Sequence, residues 1–167
     1  CYADAYQKAL ELKDEMGYTF VHPFDDENVI AGQGTIALEI LSQLDNIDAI
    51  IVPVGGGGLI SGIAYTAKQI RPSVKVYGVQ AAGAPSMFNS ISGGVIECLD
   101  SVQTIADGIA VKQPGETTFA LVRDYVDDIA LVTDDEVASA ILALIEKQKM
   151  IAEGAGAVAV AAAMLAL

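Results

Sequence analysis

Four consecutive glycines, Gly55–Gly58, constrain the fold of this chain more than any other feature. They follow the apolar segment Asp48–Val54 (DAIIVPV), which is bounded by charge and glycine as is typical of a strand buried on both faces. A helical pattern over Leu59–Ile70 comes directly after the glycines, and a second buried strand is predicted over Val74–Val79. Strand, glycine turn, helix and strand in this order predict a βαβ unit, and hence a parallel sheet with a right-handed crossover.

Helical and extended patterns alternate along the remainder of the chain. They predict helices over residues 2–16, 34–44, 117–125 and 135–149, strands over residues 18–21 and 128–132, and a final helix after Glu153. Gly17 is expected to stop the first helix, and Thr133 to supply the N-cap of the helix over 135–149. Helices that alternate with buried strands indicate the α/β fold class.

Composition narrows the functions open to this chain. Its 167 residues include 22 acidic and 9 basic ones, for a formal net charge of −13, which argues against binding to nucleic acid or to an anionic membrane. A hydrophobic fraction of 53% with 19% charged residues is typical of a globular domain. The two cysteines, Cys1 and Cys98, form no disulfide framework or metal-ligand spacing, so we expect Cys98 to be an ordinary thiol and the protein to be cytoplasmic.

The two ends of the sequence favour a fragment. The chain opens at Cys1 directly in a helical pattern, without an initiator Met, and it stops at Leu167 inside a helix of small residues. We therefore expect these residues to be a piece of a longer protein. Exposed sheet edges and apolar faces in such a piece would need covering, so we also expect association into a homo-oligomer.

The four glycines also indicate a binding site. Consecutive glycines allow positive φ and let backbone N–H groups turn toward one point, and the dipole of the helix that starts at Leu59 adds positive charge there. A phosphate or a carboxylate is the natural ligand. The nucleotide P-loop does not fit because no lysine follows Gly55–Gly58, and the dinucleotide motif Gly-x-Gly-x-x-Gly would end on Ile60 or Ser61. The alternative is a tight turn without a ligand, although four glycines exceed what a turn requires.

Five segments match, in order, the motifs of one enzyme family. They are IAGQGTIALEI (Ile30–Ile40), IIVPVGGGGLISGIA (Ile50–Ala64), TIADGIAV (Thr104–Val111), VDDIALVTDDEV (Val126–Val137) and EGAGAVAVAA (Glu153–Ala162). Together they resemble the pyridoxal-phosphate-dependent serine/threonine dehydratase family, of the tryptophan synthase β-like fold type II, which includes threonine deaminases and serine racemase. The resemblance implies a three-layer α/β/α arrangement with a mostly parallel twisted sheet. It assigns residues 1–25 to the C-terminal remnant of a small domain and residues 26–167 to a large cofactor-binding domain, incomplete at its C-terminal end.

The same resemblance implies pyridoxal 5′-phosphate as the cofactor. Glu153 corresponds to a family glutamate near the cofactor ring, and Gly108 to a backbone position beside the cofactor and the substrate. Phe24 stands where some relatives carry an asparagine that touches the cofactor hydroxyl, so its aromatic ring could only stack on the cofactor or wall the pocket. The implied cofactor-binding residues are Gly55, Gly56, Gly57, Gly58, Leu59, Gly108, Glu153 and Phe24, the first five of them around the phosphate.

Several of these residues and their neighbours also have ordinary structural interpretations. Glu153 could simply cap the last helix, and Asp107 could be a turn residue before a glycine. His22, which stands next to a proline, is expected to be structural and not catalytic. The acidic runs at residues 25–27 and 127–128 are expected to form solvated faces or helix caps, not a pair of catalytic carboxylates.

The resemblance also raises the question of a metal site, because some relatives bind a divalent cation just after the second strand of the βαβ unit. The corresponding positions here are Gln80, the Ala84 carbonyl and Ser86. Neutral groups replace two carboxylates, and hard cations prefer charged oxygen ligands. We therefore expect metal binding to be weak or absent.

The reaction implied for the intact protein is the dehydration of L-threonine, or of L-serine, with 2-oxobutanoate and ammonia as the products from L-threonine. In the family this chemistry needs a lysine that forms a Schiff base with the cofactor, within a Ser-x-Lys-x-Arg-Gly-like segment, and these residues contain no such segment. We therefore expect no catalytic residue in this chain and no activity from it alone. Two alternatives stay open: a serine racemase or another β-eliminating enzyme of the same fold, and a non-catalytic phosphate-binding module.

Overall fold

The computed structural model of the chain describes residues 2–165, which contain seven α-helices and three β-strands. In chain order these are α1 (Tyr2–Met16), α2 (Glu27–Gln43), β1 (Ala49–Pro53), α3 (Gly58–Ile70), β2 (Lys75–Ala81), α4 (Ser86–Gly93), α5 (Glu116–Tyr125), β3 (Asp128–Val132), α6 (Asp134–Ala143) and α7 (Gly154–Leu165), with a 3₁₀ turn at Asp107–Ile109 and a π turn at Leu144–Gln148. None of the helices in this range is long and apolar enough to cross a bilayer. Cys1 and Leu167, on which the expectation of a fragment depends, lie outside the described residues.

The three strands form one parallel sheet in the order β1-β2-β3. Residues 49–53 of β1 pair in register with residues 75–79 of β2, and residues 77–81 of β2 pair with residues 128–132 of β3. Helix α3 connects the first two strands. This topology confirms the predicted βαβ unit and the α/β fold class.

Helices cover both faces of the sheet, which confirms the three-layer arrangement. On one face, α2, α3, α4 and α5 enclose a core that includes Val52, Val76 and Ile129 from the strands. On the other face, α6 and α7 pack over Val79 and Val132, and α7 contacts all three strands. Strand side chains point alternately to the two faces, so each apolar run of the sequence contributes side chains to both cores.

Helices α2 and α3 cross at very short distance near the start of α3. A Cβ atom on Gly34 would lie 2.5 Å from Thr66 Oγ1 and 3.2 Å from the Gly62 carbonyl oxygen. A Cβ atom on Gly62 would lie 2.6 Å from the backbone nitrogen of Gly34. Any larger residue at either position would force the helices apart, because packed interiors have no spare volume. The two helices therefore pack backbone against backbone.

Helix α2 begins at Glu27, and the predicted start at residue 34 is wrong. The Asp26 carboxylate accepts hydrogen bonds from Asn28 N at 2.8 Å and Val29 N at 3.1 Å, which is the N-cap arrangement. The glycines of the segment IAGQG suggested a loop. Gly34 lies inside the helix instead, because it is required where α2 meets α3.

The strand predicted over residues 18–21 is also wrong. The segment is irregular, and Tyr18 and Val21 are each 59% exposed. Apolar and aromatic residues favour a strand only where a neighbouring strand pairs with their backbone. Within the described range, the paired strands are β1, β2 and β3, and none of them lies beside this segment.

The helix predicted over residues 135–149 is shorter than its pattern suggests. A capping box built on Thr133 starts α6, as the predicted N-cap requires. The helix gives way to a π turn, and Lys149 then adopts the left-handed conformation with φ of 57°. Met150 N donates a hydrogen bond to the Leu144 carbonyl oxygen at 3.1 Å. The chain turns back after Lys149, and this hydrogen bond satisfies a carbonyl that the helix end would leave without a partner.

Asp127 joins α3 to the sheet. The interpretation of this residue as part of a solvated face or as a helix cap is therefore wrong. Its side chain is 16% exposed and accepts hydrogen bonds from Lys68 Nζ at 2.6 Å, Lys75 Nζ at 2.8 Å and Val76 N at 2.8 Å. Burial by itself would raise the pKa of Asp127, but these three donors hold the pKa well below its usual range. The pKa of Lys75 is raised by the same hydrogen bond to Asp127.

Candidate functional site

An open cleft of about 480 Å³ lies where β1 ends and α3 begins. Ligands of parallel α/β sheets bind outside the carboxyl ends of the strands, and small-molecule sites commonly measure roughly 300–1,000 Å³. The cleft brings together all eight residues that the sequence predicted for the cofactor. They are Phe24, Gly55, Gly56, Gly57, Gly58, Leu59, Gly108 and Glu153.

Three of the four loop glycines, Gly56, Gly57 and Gly58, are required by a close neighbour, and Gly55 is in tight contact with one. A Cβ atom at any of those three would come too near to an atom on the far side of the loop. Gly57 carries a second constraint, a φ of 100°, which side chains rarely adopt. The neighbours are Ile109 Cα for Gly55 (3.1 Å), the Phe24 ring for Gly56, Met87 Cε for Gly57 (2.6 Å) and Phe24 Cα for Gly58 (2.9 Å).

The N-terminus of α3 presents backbone N–H groups to the cleft. The first N–H groups of an α-helix have no carbonyl partner within the helix. Among the described residues, no backbone acceptor receives a hydrogen bond from the nitrogens of Gly57, Gly58 or Leu59. No lysine or arginine among the described residues lines the cleft, so positive potential there comes from these N–H groups and the helix dipole. The arrangement can bind an anion through the backbone alone.

Phe24 forms one wall of the cleft, and His22 holds it in place. The Phe24 ring lies against Gly56, and the His22 ring meets it edge-on, with the ring centroids 4.6 Å apart. His22 Nδ1 accepts hydrogen bonds from Asp25 N at 2.8 Å and Phe24 N at 3.3 Å. His22 does not line the cleft, and these contacts confirm the expectation that it is structural.

Asp25 supplies a helix cap across a large sequence separation. Its carboxylate accepts hydrogen bonds from Glu116 N and Thr118 N, each at 3.0 Å, at the start of α5. These are orphan donors of a helix N-terminus, so Asp25 acts as an N-cap from another part of the chain. Asp26 caps α2 in the same way, so the cap interpretation is confirmed for two residues of the acidic run at residues 25–27.

Glu153 and Asp107 each stand at the start of a helix or turn and also line the cleft. Asp107 begins the 3₁₀ turn and also lines the cleft. Glu153 precedes α7 at the N-cap position, where its carbonyl accepts from Ala157 N at 3.1 Å. Its carboxylate faces the cleft, because a Cβ atom on Gly108 would lie 3.3 Å from Glu153 Oε1. A side chain at 108 would therefore close the gap beside this carboxylate.

Two of the three positions considered for a metal, Gln80 and Ser86, are engaged in hydrogen bonds within the protein. Gln80 is fully buried, and its Oε1 accepts a hydrogen bond from Phe88 N at 2.7 Å, while its Nε2 has no partner. Ser86 Oγ donates to the Val111 carbonyl oxygen at 2.8 Å. The part of the chain that the structure describes contains no group of three or more His, Cys, Asp or Glu residues placed to hold a metal ion. An amide N–H₂ group is a donor and cannot ligate a cation. These residues do not fit a divalent metal.

Several cleft residues were missed from the sequence, among them Pro23 and Gln33. Pro23 and Gln33 line the cleft beside Phe24 and the glycine loop. Gln33 precedes Gly34 on α2, and the close helix crossing brings it to the loop. Gln33, a polar residue in the largely apolar segment IAGQGTIAL, was the available signal, but the assignment of the start of this segment to a loop hid it.

A parallel α/β sheet whose first strand ends in a glycine loop at a helix N-terminus is typical of phosphate-binding domains. The comparison with known proteins identifies the class more closely. The chain belongs to the family of pyridoxal-phosphate dependent enzymes, which it matches over residues 1–167. Members of this family depend on pyridoxal phosphate.

The relatives agree with this membership. An L-threonine ammonia-lyase from Thermotoga maritima is 52% identical over 161 residues, which cover 96% of this chain and 40% of that protein. The processed form of threonine deaminase isoform 2 from Solanum lycopersicum superposes with a TM-score of 0.89 at 46% identity, covering 91% of this chain and 42% of that one. Maize serine racemase gives a TM-score of 0.89 at 41% identity, covering 92% of this chain and 48% of that one. The chain spans less than half the length of each.

Proposed function

We propose that Gly55, Gly56, Gly57 and Gly58, together with the N–H of Leu59, hold the phosphate of pyridoxal 5′-phosphate. The observation that carries this proposal is the N-terminus of α3, whose N–H groups face a cleft where glycine alone fits the loop. A phosphate dianion matches backbone donors at the positive end of a helix dipole. The residues present therefore fit the phosphate end of this cofactor.

Phe24, Gly108 and Glu153 are proposed to surround the cofactor ring. Phe24 walls the cleft over Gly56, and Gly108 leaves the space that a side chain would close. Glu153 adds a carboxylate on that side of the cleft. When bound, pyridoxal phosphate supplies an electron sink for negative charge at the α-carbon of an amino acid. The residues of this chain bind the phosphate, wall the ring and shield it from water on one side.

For the complete protein, we propose the dehydration of L-threonine, or of L-serine, with 2-oxobutanoate and ammonia formed from L-threonine. Support comes from the family and from relatives that are named L-threonine ammonia-lyase and threonine deaminase. The segment that would carry the Schiff-base lysine does not occur in these residues, so this chain alone is proposed to be inactive. Residues 1–25 are proposed as the remnant of a small domain, and residues 26–167 as an incomplete large, cofactor-binding domain.

A serine racemase or another β-eliminating activity is the second candidate, because the chain is also similar to maize serine racemase. Gln80 and Ser86 count against a racemase that depends on a divalent metal, since both side chains are engaged in hydrogen bonds within the protein. The dehydratase is therefore the favoured assignment.

We also propose that the protein is a cytoplasmic homo-oligomer that acts on a small amino acid. Several large apolar side chains reach the surface, among them Ile51 at 37%, Tyr77 at 38% and Ile151 at 88% exposure. Exposed apolar surface of this kind supports association. Light scattering on the purified complete protein measures the oligomeric state, and a monomer at micromolar concentration would contradict this proposal.

The test uses the complete protein encoded by the reading frame that contains these residues. Pyridoxal phosphate is added, the bound cofactor is fixed with borohydride, and 2-oxo acid and D-serine are measured with L-threonine and L-serine as substrates. We expect a modified lysine outside residues 1–167 and 2-oxobutanoate from L-threonine. D-serine without 2-oxo acid would favour the racemase. Cofactor binding without a modified lysine would favour a non-catalytic module, and no binding at all would contradict the phosphate site.

A further inference from the structure

A buried threonine lies directly behind the glycine loop. Thr118, on α5, is fully buried, and its Oγ1 donates a hydrogen bond to the Gly56 carbonyl oxygen at 2.6 Å. Gly115 N approaches the same oxygen at 3.5 Å. Thr118 is not among the residues that line the cleft, so it would not touch a ligand bound there.

The hydrogen bond to the Gly56 carbonyl sets the direction of the next N–H group. A trans peptide group is planar, and its C=O and N–H point in opposite directions. The described chain has no cis peptide bonds. Because the Gly56 carbonyl points inward to Thr118, the N–H of Gly57 points away from Thr118, toward the cleft side of the loop. The threonine hydroxyl thus fixes the orientation of one proposed phosphate donor.

Thr118 is itself held from three sides. The Asp25 carboxylate accepts from its backbone N–H at 3.0 Å, and its carbonyl accepts from Ser61 Oγ at 3.4 Å. On the side of the loop, a Cβ atom on Gly57 would lie 2.8 Å from Thr118 Cβ, so the loop backbone and the threonine are in close contact. The hydroxyl is therefore presented from a fixed point, which is what a positioning group requires.

We propose that Thr118 is a positioning residue for the phosphate cradle: it turns the peptide between Gly56 and Gly57 so that the Gly57 N–H faces the cofactor phosphate. This inference rests on the proposed function of the glycine loop. Without the hydroxyl, the Gly56 carbonyl keeps only the longer contact from Gly115 N at 3.5 Å, so the peptide is held less firmly and its N–H can turn out of the cleft. The phosphate then loses a preorganised donor, whereas the ring pocket around Phe24 and Glu153 is unchanged.

The test measures binding to the complete apo-protein by titration calorimetry, with pyridoxal 5′-phosphate, inorganic phosphate and pyridoxal as separate ligands. Thr118→Val keeps the shape of the side chain but removes the donor, and Thr118→Ser keeps the donor. Thr117→Val is the matched control, since Thr117 is exposed on the same helix. We expect Thr118→Val to bind pyridoxal phosphate and inorganic phosphate about tenfold more weakly, with little change for pyridoxal. Thr118→Ser and Thr117→Val are expected to stay within about twofold of wild type.

The comparison of ligands separates positioning from general damage. Loss of stability would lower the affinity for pyridoxal as much as for pyridoxal phosphate, and that result would overturn the inference. Equal affinity of Thr118→Val and wild type for both phosphate ligands would also overturn it while leaving the proposed function intact. A wild-type protein that binds none of the three ligands would overturn the proposed function and this inference together. If Thr118→Val does not fold, Thr118→Ala is compared with Thr118→Ser, a pair that differs only in the hydroxyl.

Discussion

At the scale of single residues, the loop glycines are not equivalent. Gly56 and Gly58 are required by close neighbours and Gly55 is in tight contact with Ile109, but the φ angles of all three are ordinary. Gly57 is required twice, because its φ is 100° and because Met87 and Thr118 occupy the space of a side chain. The residue that gives the helix its N-cap is therefore the one least able to change.

Replacing Gly57 with alanine is expected to weaken pyridoxal phosphate binding by at least about tenfold and to lower the free energy of unfolding by about 2 kcal/mol. The added methyl group must either displace Met87 or move the loop. Gly32→Ala is the control, because a Cβ atom there meets nothing within 4 Å in a helix. The control is expected to keep its affinity in calorimetric titration and to gain slightly in urea unfolding. Wild-type affinity in Gly57→Ala would contradict the role given to this loop.

Gln33→Glu tests the electrostatics of the cleft. The substitution keeps the size of the side chain and adds a negative charge beside the proposed phosphate site, so the affinity for pyridoxal phosphate is expected to fall by about three- to tenfold. Gln43→Glu makes the same change at the exposed end of α2 and is expected to have no effect. Both affinities are measured in low salt, and equal losses in the two variants would show that the cleft is not the origin of the effect.

At the scale of elements, the start of α5 depends on a residue far away in the sequence. Asp25 lies on the segment that also carries the cleft wall, and it caps a helix whose Thr118 supports the glycine loop. One short segment thus connects the wall, the cap and the loop. A substitution at Asp25 is therefore expected to destabilise the start of α5 first.

Asp25→Ala is expected to lower the free energy of unfolding by about 1.5 kcal/mol, because two N–H groups at the start of α5 lose their acceptor. Hydrogen exchange gives the specific readout: the amides of Glu116 and Thr118 are expected to exchange faster. Asp26→Ala removes the cap of α2 and is expected to cost a similar amount while leaving the two α5 amides unchanged. Protection of those amides in Asp25→Ala at the wild-type level would contradict the cap.

Local patterns were enough to predict the elements whose ends carry strong signals. The strand before Gly55 and the helix after it were predicted correctly because an apolar run and glycines bound them. The strand over residues 18–21 failed because strand formation depends on a partner, which a local pattern does not contain. The eight residues proposed for the cofactor were predicted through family motifs, and the structure brings them together in one cleft. The cap by Asp25 had no local signal, since its donors lie 91 and 93 residues away.

At the scale of the whole molecule, a single carboxylate connects the layers. Asp127 lies just before β3, binds Lys68 of α3 and Lys75 of β2, and accepts from the backbone of β2 as well. Removing it leaves the half-buried Lys68 ammonium without its carboxylate. Because the pKa of Asp127 is lower in the folded state than its ordinary value of 3.8, the cluster stabilises the fold fully above that pH.

Asp127→Asn is expected to lower the free energy of unfolding by about 2 kcal/mol at pH 7. The difference from wild type is expected to shrink as the pH falls below about 4, because Asp127 then takes up a proton in the unfolded wild type, whereas the folded state must keep it ionised to retain these interactions. Urea unfolding at pH 7, 5 and 3 measures this dependence. Asp128→Asn is the control, because Asp128 is exposed and forms no ion pair within the described residues. A constant difference at all three pH values would contradict the assignment.

The backbone contact between Gly34 and Gly62 makes the two sides of the cleft differ in how far substitutions can change their shape. On one side, α2 and α3 are locked together, so Gln33 and the glycine loop keep a constant separation whatever enters. The opposite side is built from Phe24 and residues 107–111, where side-chain size sets the width. New ligand preferences within this architecture are therefore expected mainly on that second side, because the glycines of the first side cannot grow without separating two helices. Laboratory evolution of the cleft has its productive positions there.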